Sequence, residues 1–247
     1  MNDTLRNSNE GPEHRPLQSA TALTSGVALL LMAVLALFAE FFVRARLMDP
    51  NDLTVTLHHL RTSASLFRAG IAANLIVAVL DVIVAVTLYE VFRHAGRGLA
   101  LLAAAHRVVY AAVFATATLG QMLAVHLATG ANVLPGGPSN LLASAFLDMN
   151  AFGWQIGLVF FAVHLAMLGG LIVRSGAAPR WIGVLLILAG AAYLTDAFAN
   201  VLLSNYADYA PVLKACVALP ALTSELSLCV WLITSGRQAK RRVTATH

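Results

Sequence analysis

The chain has 247 residues, 59% of them hydrophobic and 11% charged, with a mean hydropathy of +0.76. A soluble domain carries roughly 25% charged residues, so a water-soluble core of this length is excluded. Sixteen Lys and Arg stand against twelve Asp and Glu, and the excess sits in turns and the C-terminal tail, so the basic balance reports membrane orientation rather than nucleic-acid binding.

Cys216 and Cys229 lie thirteen residues apart in the last apolar run, which excludes a disulfide framework or a CxxC metal site. Residues 1–19 are polar, contain Pro and mix charges, unlike the basic start of a signal peptide. They are expected to form a disordered cytoplasmic tail ahead of an uncleaved first span. Six apolar segments follow, at about 20–43, 69–92, 99–127, 151–173, 180–203 and 212–235. Each approximates the ~20 residues that cross a ~30 Å hydrocarbon layer. Together they make residues 20–235 one transmembrane domain, with 236–247 a basic cytoplasmic tail.

Near the end of the first span, Glu40 and Arg44 are spaced for an i,i+4 ion pair. In the next segment Asp49 is placed to cap a helix, with Pro50 at its first position and Asp52 in its first turn. Leu53, Leu57, Leu60, Ala64 and Phe67 recur at helical spacing, predicting an amphipathic helix on the outer surface of the bilayer. His58 and His59 are adjacent and diverge by about 100°, a poor metal pair and a solvated face.

Arg93 and Arg97 mark a short cytoplasmic turn between the second and third spans. The Gly/Pro loop TGANVLPGGPSN has no Lys or Arg and reads as external. Asn140 is expected to cap a short helix that bends into the fourth span at Asn150 and Gly153, with Trp154 an interfacial anchor beside Gln155. The fourth and fifth spans form a hairpin through RSGAAPR (174–180), where Gly and Pro punctuate the helices and two arginines hold the turn inside. Pro211 ends the next outer loop.

Cytoplasmic segments hold ten Lys and Arg and external segments five, four of these in the first outer loop, against the rule. The surface helix accommodates them by immersing arginine stems while exposing the heads. Both termini are therefore placed in the cytoplasm of an inner-membrane protein.

An ionised side chain inside the bilayer costs about 2.5–3.5 kcal/mol at the helix centre and needs a partner or water. Counting 1.5 Å per residue from the cytoplasmic ends, Arg107 lies ~12 Å deep, His164 ~15 Å, Tyr110 ~16 Å, Asp81 and Glu225 ~18 Å and Tyr193 ~20 Å. Asn74 and Asp81 share one face of the second span. Tyr193, Asp196 and Asn200 share one of the fifth, with Gly183 and Gly190 beside them for close packing. The candidate polar cluster is Asp81, Arg107, Tyr110, His164, Tyr193, Asp196 and Glu225. In it Arg107 neutralises Asp81 or Glu225, either as dry interhelical glue or as the lining of a cavity for a small molecule, a lipid headgroup or a proton.

No HExxH, di-iron histidine cluster, GxSxG or Cys/His arrangement is present, and His164 has no second His at i+4. The sequence thus implies no catalytic residue, metal or cofactor. Its partners are the lipid bilayer and a small ligand, and it leaves a homo-oligomer open. The alternatives are an intramembrane enzyme or a structural or sensory membrane partner.

The stretches LYEVFRHAGRGLALLAAAHRVVYAA (88–112), FFAVHLAMLGGLIVRSGAAPRWIGVLLILAGAAYLTD (160–196) and ELSLCVWLITSG (225–236) resemble the bacterial domain-of-unknown-function family 4386. The resemblance covers nearly all the chain after residue 20 and implies a six-pass membrane fold, with no reaction, substrate or cofactor attached. The expected fold is all-α: a six-helix transmembrane bundle with a short amphipathic surface helix between spans one and two.

Overall fold

The computed structural model describes residues 14–49, 52–130 and 138–244. The elements among them are helical: α1 (His14–Leu37), a π-helical turn (Phe38–Arg44), α2 (Ala45–Leu47), α3 (Leu53–Thr62), α4 (Ala64–Thr129), α5 (Pro138–Ser175), α6 (Arg180–Leu202) and α7 (Tyr206–Thr244). Ser19–Leu47, α4, α5, α6 and Tyr206–Gln238 are long and apolar enough to cross a membrane. Large apolar residues cover the outside, among them Val79 at 62% and Val201 at 76% exposure. The protein is an all-α membrane bundle.

α4 has 66 residues, which as a straight rod would measure roughly 100 Å, three times a hydrocarbon layer. It folds back at Gly96, whose φ of 170° and ψ of 90° are extended rather than helical. Asp81 meets Arg107 and Asn74 meets Gln121 across this point, so residues 64–95 and 97–129 run antiparallel as two arms. A Cβ at Gly96 would stand 2.9 Å from Leu171 Cδ1 on α5, the mobile end of a side chain that can shift to make room. The α5–α6 turn closes at Gly176, whose φ of +66° suits glycine and whose N–H reaches the Ile172 carbonyl at 2.9 Å.

α1 packs on the first arm of α4 and on α7, the second arm packs on α5, and α6 bridges α5 and α7, so the helices close into a ring. Small residues bring these helices together. A Cβ on Gly183 would lie 2.7 Å from the Gly169 carbonyl oxygen, and one on Gly190 would lie 2.6 Å from that of Ala162. Gly183 and Gly190 thus form the packing surface expected of them. On the far side Cys229 Sγ donates to the Gly26 carbonyl at 3.1 Å.

Several local expectations change. α1 begins at His14, inside the segment expected to be disordered; residues 1–13 lie outside the described residues. Asp52, not Asp49, caps α3, accepting from the backbone N–H groups of Thr54 and Val55 at 2.8 and 3.1 Å, while Pro50 lies outside the described residues. The apolar face of α3 is buried in protein rather than lipid: Leu57 and Leu60 join Val43, Leu47, Phe67, Ala124, Ala143 and Leu147 in a secondary core. Arg61 locks α3 there, donating to the Ala128 carbonyl at 3.1 Å and to Asn140 Oδ1 at 2.7 Å. Two of the four positive charges in that connection therefore have structural partners, Arg61 and Arg44, the latter paired with Glu40 at 3.0 Å. α5 runs unbroken through Asn150 and Gly153, without the expected bend. α7 starts at Tyr206 and carries Pro211 and Pro220 within it.

Candidate functional site

The main core is apolar around a polar centre. Phe92, Leu165, Leu168, Ile172, Ile182, Leu186 and Leu232 are fully buried, and so are Arg107 and His164. Folding α4 at Gly96 places Asp81 on the first arm opposite Arg107 on the second. Their Oδ1 and Nη2 atoms are 2.7 Å apart, and the side chains are 1% and 2% exposed. α5 supplies the third member, His164, whose Nε2 is 3.2 Å from Arg107 Nη1.

The histidine's tautomer follows from donor chemistry. A guanidinium only donates, so Nε2 must carry a lone pair and the ring proton must sit on Nδ1. Nδ1 lies 2.8 Å from the Ala103 carbonyl, which accepts that proton. His164 is therefore neutral and, together with Asp81, orients the guanidinium. Phe161 lies beneath it, its ring centroid 5.3 Å from Arg107 Cζ.

From Phe161 an aromatic wall spreads through the bundle. Tyr110 lies 4.8 Å from it between ring centroids, and Tyr193 of α6 meets it edge-on at 5.7 Å. Phe114 stacks on Tyr110, and Trp154 tilts against Phe114. Tyr110 and Tyr193 both lie within electrostatic reach of Glu225, and Glu225 within that of Arg107 and Asp81. Glu225, on α7, is half-buried. Among the described residues no ion pair closes on it; Arg107 is taken by Asp81. Of the two partners expected for Arg107, the geometry selects Asp81.

Six of the seven candidate residues converge in this way, from both arms of α4 and from α5, α6 and α7. Asp196 does not join them. It accepts from the Tyr206 hydroxyl at 2.8 Å, tying the end of α6 to the start of α7. Sequence reasoning missed Gln121, which links Asn74 to Asn150 at 3.3 and 3.1 Å, while Asn150 donates to the Ala117 carbonyl at 3.0 Å. These amides bind both α4 arms to α5 on the α3 side of the ion pair. An amide inside an apolar run, beside Gly120, was the available signal.

The polar centre is not fully hydrogen-bonded. Asp81 Oδ1 and Oδ2 and Arg107 Nε and Nη2 lack hydrogen bonds of good geometry and are held as an ion pair, whereas Trp154 Nε1 is buried without a hydrogen-bonding partner among the described residues. Such groups are rare and mark strain, water or a ligand. Among the described residues no group of three or more His, Cys, Asp or Glu is arranged to hold a metal ion.

Helices of this length and apolarity around a buried ion pair define a helical-bundle membrane protein with a polar centre. The family model described as domain of unknown function (DUF4386) matches residues 24–236, and the chain belongs to that family. It is also 28% identical over 177 residues to an uncharacterized protein of Archaeoglobus fulgidus, an alignment covering 71% of this chain and 88% of the relative. No solved structure matches.

Proposed function

We propose that the protein is a six-pass inner-membrane bundle with both termini in the cytoplasm that binds a small ligand near mid-bilayer. The Asp81–Arg107–His164 group is its fixed base, and Glu225 and Tyr193 are the groups that face the ligand. The carrying observation is the unequal treatment of the two acids: Asp81 is sealed against Arg107, whereas Glu225 is half-buried with no ion partner among the described residues. A dry structural network would be expected to satisfy both, because an unpaired charge inside a membrane is expensive.

The orientation rests on arginines. Arg93 and Arg97 flank the Gly96 fold, Arg174 and Arg180 flank the Gly176 turn, and the tail after Arg237 is basic, so these features belong on the cytoplasmic side. Catalysis is the weaker reading because the neutral His164 is committed on both ring nitrogens and no nucleophile adjoins it.

The test is cysteine accessibility in a background with Cys216 and Cys229 replaced by Ala. Glu225→Cys in lipid nanodiscs should react with a small charged methanethiosulfonate reagent, while Leu228→Cys, buried one turn away, should not. Protection at 225 equal to that at 228 overturns the ligand site in favour of a dry bundle.

A further inference from the structure

The lipid-facing wall of the bundle carries a groove between α1 and the first arm of α4. It holds about 410 Å³ and is lined on α1 by Leu23, Thr24, Val27 and Leu31 and on α4 by Leu80 and Ile83. Val79 and Val86 of the same arm are 62% and 55% exposed, so the groove opens onto the apolar surface that meets the bilayer. Its dimensions select an occupant. From Leu23 to Leu31 it runs ~12 Å at 1.5 Å per residue. A volume of about 410 Å³ over that length leaves a mean cross-section of roughly 34 Å², about 6–7 Å across. An α-helix with its side chains is about 10–12 Å wide, so a helix of a second copy is too broad to seat there, whereas a single hydrocarbon chain fits.

The α4 side of the groove leads to positive charge. Leu80, Ile83, Thr87, Glu90 and His94 recur at spacings of three, four, three and four, one stripe of the helix. Arg93 is drawn onto that stripe by Glu90, with Nε 3.1 Å from Oε2 and both side chains 40% exposed. Arg97 is exposed just beyond. Arg237, also exposed, follows Gly236, where a Cβ would stand 2.8 Å from the Ser19 carbonyl oxygen and 2.9 Å from Leu23 N, at the same end of the groove. Three guanidinium groups thus stand against one carboxylate, the charge that a phosphate headgroup complements. Along the helix Ile83 lies ~15 Å and Leu80 ~20 Å from Arg93, which matches one leaflet, half of a ~30 Å hydrocarbon layer. We infer that the groove seats one acyl chain of an anionic phospholipid whose phosphate rests on Arg93, with Arg97 and Arg237 around it. Neither the groove nor these arginines belong to the polar centre, so the two sites stand or fall separately.

The full chain, delipidated in mild detergent, is titrated with dioleoylphosphatidylglycerol or dioleoylphosphatidylcholine, and bound lipid is counted by native mass spectrometry alongside the unfolding midpoint. One phosphatidylglycerol per chain should bind saturably, at least threefold more tightly than phosphatidylcholine. Val27→Trp and Leu31→Trp, at positions 50% and 45% exposed, fill the groove from its open side. Each should weaken both lipids at least fivefold, while Val86→Trp, outside the groove, leaves binding unchanged. Arg93→Gln with Arg237→Gln should abolish the preference for phosphatidylglycerol and keep the chain bound.

Wild-type binding by both groove-filling variants overturns the inference, as does equal affinity of the wild type for the two lipids. A doubled mass in the wild type that becomes single in Leu31→Trp, with no lipid retained, would overturn it in favour of a second copy. Lipid-free variants that unfold near the wild-type midpoint establish that a lost lipid is a lost site. Should one tryptophan variant misfold, the other and the arginine double carry the test.

Discussion

Arg107→Leu removes the positive charge paired with Asp81 at the centre of the bundle and strands Asp81, 1% exposed, without that counterion. Breaking a buried pair from one side costs about 3–5 kcal/mol, whereas removing both partners is often close to neutral. His164 Nε2 also loses its donor, adding about 1–3 kcal/mol if the acceptor stays unsatisfied. For a chain of this size each kcal/mol corresponds to about 2–4 °C, so the single variant should unfold roughly 10–25 °C below wild type in mild detergent. Asp81→Leu with Arg107→Leu should recover more than half of that loss. Arg107→Leu with Glu225→Leu should recover little, because no ion pair joins those residues. The assay is the fluorescence-detected unfolding midpoint of the four proteins, with monodispersity by size exclusion as a check on folding. A near-wild-type Arg107→Leu, or rescue through Glu225 rather than Asp81, would refute the pairing.

The histidine makes an independent prediction: ¹⁵N spectra of histidine-labelled protein should show His164 as the neutral Nδ1–H tautomer, and an imidazolium or Nε2–H form would contradict the Arg107 contact. Gly120→Ala should cost about 1–3 kcal/mol by overpacking, because its Cβ would collide with the Phe146 carbonyl oxygen. Gly98→Ala, with nothing within 4 Å, should be neutral or stabilising by up to about 1 kcal/mol; equal losses at both positions in thermal unfolding would count against the α4–α5 contact. On α3, cysteine at exposed position 58 should label rapidly with a hydrophilic maleimide, whereas 57 and 60 should resist; labelling at 57 would return that helix to the bilayer surface.

Much of the helix content was legible because apolar runs of membrane length leave little alternative once backbone groups must be satisfied internally. The depth of each polar residue was legible too, since rise per residue is constant. Depth located Asp81, Arg107 and His164 at one level, but it left open whether Arg107 turns to Asp81 or to Glu225. That choice depends on how the α4 arms fold at Gly96 and how α7 is rotated against them. Asp196 was grouped with Tyr193 on the strength of a shared helical face; Tyr206, from the start of the next helix, takes its carboxylate instead. The amphipathic pattern of Leu53, Leu57 and Leu60 was equally compatible with lipid and with protein. Arg61, through Ala128 and Asn140, decides for protein, and no periodicity records such a contact.

The central claim, that Glu225 faces water inside the bundle while Asp81 is sealed, is tested most directly by collision accessibility of a nitroxide label at 225 in nanodiscs. Labels at Val230, 60% exposed on the outer face of α7, and at Leu228, 2% exposed, are the controls. Power saturation with a water-soluble nickel chelate and with oxygen separates the three environments. At 225 the nickel reagent should relax the label more than oxygen does. At 230 oxygen should dominate, and at 228 neither should act. A label at 225 that behaves like 230 would put Glu225 against lipid, and one that behaves like 228 would make the centre dry; either result contradicts the account.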